Sequence, residues 1–310
     1  MLYALALIPV AGLLAFIYFN DKKEKEPFGF LISLFFLGMA TVVSAIILEL
    51  VGGLILESAM PNESVLKGWI DAMIIVAPAE ELGKFLILRL RTWKSKHFDY
   101  SYDAIVYSVF VSLGFAALEN VSYVFQSGIG TALLRMFTAV PGHACFAVFM
   151  GFFYGKAKYA QITNKKGRYA LFTLLSIFMP ILLHGIYDAI IMGGSASDEI
   201  LISGLSIVVW IGYVITLFAG SVVIIIFSSK HDYCIVSFPD EVQVVYHPAI
   251  VGGWLCNCGT RNFLNFCPTC GTQRPYNSQW TCTNCGNLST FNFCGVCGKP
   301  NPYAPPKAQQ

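Results

Sequence analysis

Residues 69–90 read WIDAMIIVAPAEELGKFLILRL, an apolar stretch that carries two adjacent glutamates and a lysine near its middle. A helix of about 20 apolar residues crosses the hydrocarbon core of a bilayer, so this stretch is long enough to span a membrane. Ionisable side chains inside a bilayer are costly and are usually retained for a function. Glu80, Glu81 and Lys84 therefore indicate a functional site inside a membrane-spanning helix.

The whole chain has the composition of a membrane protein. Of its 310 residues, 56% are hydrophobic and 12% are charged, whereas charged residues make up about a quarter of a soluble domain. Apolar segments cover roughly residues 1–19, 28–56, 69–90, 103–126, 132–155, 169–192 and 199–228. We therefore predict an all-α polytopic membrane protein, with about seven transmembrane helices in residues 1–229. The second segment is longer than one span requires, and Gly52-Gly53 is a candidate break within it.

The charges of the connecting loops predict the orientation in the membrane. Basic residues follow the first, third and fifth segments: Lys22, Lys23 and Lys25; Arg89, Arg91, Lys94 and Lys96; and Lys156, Lys158, Lys165, Lys166 and Arg168. The alternate connections hold only Lys67. Because loops rich in lysine and arginine stay in the cytoplasm, we expect a multi-pass cell-membrane protein with its N-terminus outside and its C-terminus in the cytoplasm.

Four of the segments bring ionisable side chains to similar depths in this orientation. At 1.5 Å per residue, Glu80 and His143 lie about 16 Å, His184 about 12 Å and Glu119 about 10 Å below the outer surface. Asp188 lies nearer to that surface. One buried site built from several helices would produce this clustering.

The local spacing of these residues suggests acid–base chemistry. Lys84 can neutralise one of the two glutamates at i,i+4 or i,i+3 and leave the other to act elsewhere. Asp188 follows His184 at i,i+4 and can fix the tautomer of its ring. A carboxylate beside an oriented histidine can activate water as a general base, while neighbouring donors stabilise an oxyanion. The predicted reaction class is therefore hydrolysis.

Two other functions use similar residues and remain open. Buried glutamates and histidines also build the proton relays of proton- or ion-coupled transporters, although the sequence has no visible inverted repeat of the kind many transporters carry. The same polar contacts could also hold together a non-catalytic membrane scaffold. Glu49, near the end of the long second segment, is expected to be interfacial or structural.

Four short motifs on successive segments resemble those of the PrsW family of intramembrane proteases: EELGK, FAALEN, PGHA and HGIYD. That family belongs to a clan with the CaaX-processing and bacteriocin-immunity membrane proteases and with a branch of scaffold proteins. The resemblance implies that Glu80 and Glu81 are the paired glutamates of the clan and that His184 is the histidine of its last motif. Glu119 and Asp188 agree with the PrsW branch, where the CaaX branch carries histidine and asparagine.

The resemblance also implies an activity and a substrate class. The protein would cut a membrane-anchored regulatory protein in or just outside the outer half of the bilayer. Glu80 or Glu81 would be the base, His184 its partner, and Glu119 and His143 would position water or stabilise the oxyanion. The clan has been described both as metalloproteases and as glutamate proteases, and the sequence leaves an intramembrane catalytic metal open.

The cytoplasmic tail has a different character. Residues 230–250 are expected to form a linker or short hairpin, residues 251–273 and 278–301 two zinc ribbons, and residues 302–310 a disordered tail. The predicted zinc ligands are Cys256, Cys258, Cys267 and Cys270 in the first ribbon, and Cys282, Cys285, Cys294 and Cys297 in the second. Four thiolates in two close pairs suit one tetrahedral, structural zinc ion, so two ions are predicted. With only Arg261, Arg274 and Lys299 as firm positive charges, the ribbons fit a cytoplasmic protein partner better than nucleic acid.

Overall fold

The computed structural model describes residues 2–196 and 200–235 and, in the tail, residues 254–256, 258–262, 267, 269–272, 280–284, 286 and 288–289. The chain divides into two compact units, Met1–Val236 and Ser237–Gln310. Most of the predicted linker and all of the predicted terminal tail lie outside the described residues.

The first unit is helical throughout the predicted segments, which confirms the all-α polytopic fold. The helices are α1 (Leu2–Asn20), α2 (Phe28–Ala59), α3 (Val65–Ile70), a π-helical turn (Asp71–Val76), α4 (Ala77–Thr92), α5 (Asp103–Phe137), α6 (Ala139–Ile162), α7 (Lys166–Ser195) and α8 (Ile200–Lys230). Among the described residues, five helices are long and apolar enough to cross a membrane, namely α2, α5, α6, α7 and α8.

Of two expectations about helix breaks, one is wrong and one is confirmed. Helix α2 runs without interruption through Gly52 and Gly53, because a helical glycine costs only about 1 kcal/mol and an open backbone in lipid costs more. The interruption expected between the segments 103–126 and 132–155 is present, although the chain is helical on both sides of it and α5 continues to Phe137. It bends there at Gly128, whose φ of 79° and ψ of −164° lie outside the helical region.

The segment that carries the two glutamates is irregular immediately before them. Helix α3 starts at a cap in which the Ser64 side chain accepts a hydrogen bond from the Lys67 backbone N–H. A π-helical turn follows, and such turns are rare and often occur at functional sites. Pro78, in the first turn of α4, has no N–H to leave unsatisfied there. Glu80 and Glu81 follow directly.

Helix α5 is the centre of the bundle. In its apolar stretch 83% of the residues are buried, against 22% in the corresponding stretches of α7 and α8. The hydroxyl groups of Ser108 and Ser112 donate hydrogen bonds to the backbone carbonyls of Ala147 and His143 on α6, at 2.7 and 2.9 Å. These contacts lock α5 to α6 and fix the position of His143 relative to Glu119.

The second unit contains two short antiparallel strand pairs. Strand β1 (Trp254–Leu255) pairs with β2 (Arg261–Asn262), and β3 (Trp280–Thr281) pairs with β4 (Leu288–Ser289). Trp254 lies opposite Asn262, and Trp280 lies opposite Ser289.

Candidate active site and zinc sites

Glu80, Glu81 and Lys84 form a buried ionic cluster on α4. The Lys84 Nζ atom lies 2.9 Å from Glu80 Oε2 and 2.7 Å from Glu81 Oε1. Lys84 is 0% exposed and Glu81 is 1% exposed. The Lys84 ammonium group thus contacts both glutamates, although its single charge balances only one of the two carboxylates.

His184 lies between two carboxylates. Its Nδ1 atom is 3.0 Å from Glu81 Oε1, and its Nε2 atom is 3.0 Å from Asp188 Oδ2, the contact that the i,i+4 spacing predicts. Phe146 stacks on the ring at a centroid distance of 4.7 Å and fixes its plane. A neutral imidazole has one N–H, so two short carboxylate contacts call for a second proton or for a cation near the ring.

His143 joins α4 to α5. Its Nδ1 atom is 3.2 Å from Lys84 Nζ, and its Nε2 atom is 2.8 Å from Glu119 Oε2. Because the ammonium group can only donate, Nδ1 accepts from Lys84 and Nε2–H donates to Glu119. The structure thus brings together all six of the residues predicted to form the site: Glu80, Glu81, Glu119, His143, His184 and Asp188.

Arg135 also belongs to this network, and the sequence reasoning missed it. Its Nη2 atom is 2.8 Å from Glu119 Oε2, and its Nε–H donates to Asn120 Oδ1 at 3.1 Å. Arg135 lies beyond the bend at Gly128, which returns the end of α5 toward Glu119. The sequence does contain a signal that could have indicated this role, namely an arginine inside the apolar run TALLRMF.

A cavity of about 560 Å³ opens beside the cluster. Its lining residues with polar groups are Glu49, Glu80, Glu119, Ser122, Tyr123, Gln126, Arg135, Thr138, His143, His184, Tyr187, Asp188 and Trp210. Among the described lining residues, Glu80 is present, whereas Glu81 and Lys84 lie behind it. Glu49 was expected to be interfacial or structural, yet its side chain faces the same cavity.

The charges of the site do not balance by themselves. Among the described side chains that contact one another here, the carboxylates of Glu80, Glu81, Glu119 and Asp188 face only two permanent cations, Lys84 and Arg135. Oε2 of Glu81 is buried and has no hydrogen-bond partner. One additional proton on His184 together with one on a carboxylate, or one divalent cation, would restore neutrality.

The donor set also fits a metal ion by its chemistry. Ligand atoms of Glu80, Glu81, His143 and His184 all lie within 4.8 Å of one another, and histidine with glutamate is a common set in catalytic zinc sites. Each histidine turns its Nε2 atom to a carboxylate, as metal-ligating histidines usually do. The Lys84 ammonium group lies among the same donors, so lysine and metal would compete for these carboxylates.

In the tail, the first predicted ribbon brings its four cysteines together. The Sγ atoms of Cys256 and Cys270 are 3.3 Å apart, and those of Cys258 and Cys267 are 3.5 Å apart. Four sulfurs at about 2.3 Å from a zinc ion lie roughly 3.8 Å from one another, so this set could hold zinc. Of the second set only Cys282 is described; Cys285, Cys294 and Cys297 lie outside the described residues.

Glycines with positive φ lie in the turns that carry these cysteines. Gly259 and Gly271 have φ values of 85° and 70°, a region that glycine occupies without strain. Their N–H groups donate to the carbonyls of Cys256 and Cys267, both at 2.8 Å. Gly286 repeats the pattern at Cys282, with a φ of 70° and a hydrogen bond of 2.9 Å.

Comparison with known families identifies the membrane unit. A family model described as PrsW family intramembrane metalloprotease matches residues 26–220. The match includes every residue of the cavity cluster and ends before the cysteine-rich tail. No solved structure matches the chain.

Individual relatives agree with this match. Protease PrsW of Geobacillus kaustophilus is 36% identical over 191 residues, which cover 62% of this chain and 80% of the relative. Protease PrsW of Clostridioides difficile is 34% identical over 199 residues, with coverages of 62% and 79%. Protease PrsW of Bacillus subtilis is 35% identical over 186 residues, with coverages of 60% and 80%.

Proposed function

The chain belongs to the PrsW family of intramembrane proteases, and we propose that it hydrolyses a peptide bond of a membrane-anchored protein at the cavity beside Glu80. The observation that carries this proposal is the convergence of α4, α5, α6 and α7 on one buried cluster of glutamates and histidines. A regulatory protein with a single membrane anchor is the substrate class we favour.

Glu80 is our candidate for the general base. It lines the cavity, where a water molecule and a peptide carbonyl would meet, whereas Glu81 lies behind it. In the proposed step Glu80 takes a proton from water while the water oxygen attacks the carbonyl carbon. The carbon–nitrogen bond then breaks, and the same proton passes to the leaving amine.

The remaining groups position the base and stabilise charge. Glu81 and Asp188 hold His184 from opposite sides, so His184 is placed beside Glu80 at 3.9 Å. On the other side, His143 and Arg135 both contact Glu119. We assign the developing oxyanion to Arg135, whose guanidinium group has N–H donors beyond those used by Glu119 and Asn120 and is already in place. Glu119 and His143 would position the water.

If a metal ion participates, Glu80, Glu81, His143 and His184 would hold it. When bound, a zinc-like ion would supply Lewis acidity to the water and to the peptide carbonyl. The charge deficit of the site and the orphaned Oε2 atom of Glu81 support this possibility. Activity that survives exhaustive chelation would assign the chemistry to the glutamates alone.

The orientation of the cavity follows from the loop charges. With the lysine-rich loops in the cytoplasm, the cavity lies in the outer half of the bilayer. The substrate would then be cut in, or just outside, the outer part of its transmembrane segment.

The tail is proposed to be a pair of structural zinc ribbons that bind a cytoplasmic protein. Units of about 20 residues cannot fold on an apolar core alone, so metal would supply their folding energy. The segment 250–301 should bind two zinc ions and unfold on chelation, as followed by metal analysis and circular dichroism. One bound ion, or a fold that survives chelation, would refute the double ribbon.

Purified protein in liposomes tests the function itself. We expect cleavage of a fluorescent transmembrane peptide and no proton or sodium flux. Flux without cleavage would instead support an ion-coupled transporter, and the absence of both would support a scaffold.

A further inference from the structure

A second cluster of acidic side chains lies at the other end of α5. Glu26 comes from the loop between α1 and α2, and Asp99 and Asp103 come from the loop before α5 and its first residue. One carboxylate oxygen of each lies within 4.8 Å of the others. Asp103 and Glu119 are separated by about 24 Å along α5 at 1.5 Å per residue, so this cluster is separate from the proposed active site.

Two of these carboxylates are almost completely removed from solvent. Asp103 is 1% exposed and Glu26 is 5% exposed. Oδ2 of Asp103 accepts hydrogen bonds from the backbone N–H groups of Tyr100 and Asp99, at 2.7 and 3.2 Å. Oε2 of Glu26 is buried and has no hydrogen-bond partner, and Tyr107 is the side chain that contacts this carboxyl group.

No protein cation among the described residues neutralises the cluster. Lys25 is the nearest lysine in sequence, but its Nζ atom donates to the backbone carbonyls of Tyr18 and Asp21. None of the ion pairs formed by the described residues includes Glu26, Asp99 or Asp103. Buried carboxylates without a neutralising cation are strongly unfavourable, and proteins place them where they are paired or where they coordinate metal.

We propose that Glu26, Asp99 and Asp103 bind a hard divalent cation, Mg²⁺ or Ca²⁺. Both ions prefer oxygen ligands, and Mg²⁺ in particular is often held by a few carboxylates together with water. The ligand set contains no sulfur or imidazole, which would favour zinc. This site is therefore distinct in its metal preference from the tail cysteines and from the histidine-containing cavity.

The cation would join three parts of the membrane unit at their ends. Glu26 belongs to the loop that starts α2, and Asp103 starts α5. The loop before α5 is also bound to the end of α8, because Oδ1 of Asp232 accepts hydrogen bonds from the Ser101 hydroxyl and the Tyr102 N–H, both at 2.9 Å. Binding should therefore stabilise the association of α2, α5 and α8.

Terbium luminescence can test the site in the full-length protein. Tb³⁺ replaces Ca²⁺ at oxygen sites, and Tyr107, which lies beside Glu26, can sensitise its emission. The protein, with its zinc sites saturated, is titrated with Tb³⁺ and then with competing Ca²⁺ or Mg²⁺. We expect Glu26→Gln and Asp99→Asn each to weaken Tb³⁺ binding at least about tenfold, because fewer ligand charges lower affinity.

Glu24→Gln is the matched control, since it removes one exposed carboxylate from the same loop and should change Tb³⁺ affinity less than about twofold. Ca²⁺ or Mg²⁺ should also raise the unfolding temperature of the wild type but not of Glu26→Gln. The alternative is that protons, rather than a metal ion, neutralise the cluster, because burial raises the pKa of Glu26 to about 8. If protons alone neutralise the cluster, stability falls as the pH rises toward about 8, cations have no effect, and the proposal is overturned.

Discussion

Glu80 and Glu81 are neighbours in sequence but have different surroundings. Successive residues of a helix point about 100° apart, so Glu80 faces the cavity while Glu81 faces His184 and Lys84. Lys84 contacts both carboxylates and lies 4.0 Å from the centre of the Phe115 ring. We therefore propose that Glu80 acts as the base and that Glu81 positions His184, while Lys84 contacts both carboxylates.

This division predicts non-additive losses of activity. Glu81→Gln and His184→Ala should each lower kcat by about 10²–10⁴-fold, because either change releases the group that positions the base. The double variant should lose little more than the worse single variant, since the residues act as one unit. The test is to measure the rate at which each variant cleaves a transmembrane peptide, with correct folding checked by thermal unfolding. If the loss in the double variant equals the product of the two single losses, the residues do not act jointly.

At the residue scale, the sequence predicts which residues form the site better than it predicts which of them contact one another. Spacing alone indicates the contact of His184 with Asp188, because both lie on one face of one helix. It could not show that Arg135 reaches Glu119, since that contact depends on the bend at Gly128. It also could not show that Lys84 reaches His143, which is 59 residues away.

At the scale of elements, α2 and α5 approach each other through two glycines. A Cβ atom at Gly38 would lie 1.9 Å from the Val111 carbonyl oxygen, and one at Gly114 would lie 2.0 Å from that of Phe35. Small residues at such crossings let helix backbones approach closely in a membrane. The crossing fixes α5, and α5 in turn positions Glu119.

Two glycines of the same helix provide a matched test of this crossing. Gly38→Ala should lower the free energy of unfolding by about 1–3 kcal/mol, because the new methyl group meets backbone. The new methyl group of Gly53→Ala would contact nothing within 4 Å. This change should leave the free energy of unfolding unchanged or raise it by up to about 1 kcal/mol through helix propensity. Thermal unfolding in detergent distinguishes them, and equal effects would contradict the close crossing.

The long apolar runs predict the helices, but they predict the ends of the helices less accurately. The bend at Gly128 falls where the sequence predicts a connection, in a run of small and polar residues, but the chain becomes helical again after it. The π-helical turn before Pro78 has no sequence signature, because it depends on packing. For example, Met73 in that turn packs so closely against Gly185 of α7 that a Cβ atom at Gly185 would collide with it.

At the scale of the whole molecule, the orientation remains a prediction from loop charges. Reporter fusions after Lys96 and Lys166 should report the cytoplasm, and fusions after Pro61 and Ser195 the exterior, because lysine-rich loops are retained inside. One inverted result among these positions would remove the basis for placing the cavity and the cleavage site in the outer half of the bilayer.

The central claim is that the cavity beside Glu80 cuts a membrane-anchored substrate, and one measurement tests it most directly. Purified wild type, Glu80→Gln and the control Glu63→Gln are reconstituted with a transmembrane peptide, and products are mapped by mass spectrometry. We predict a cut in the outer part of the peptide that is preserved in Glu63→Gln, whose exposed carboxylate pairs with Lys67. In Glu80→Gln the rate should fall about 10²–10⁴-fold, the general-base contribution. Near-normal cleavage by a correctly inserted Glu80→Gln protein would contradict the account.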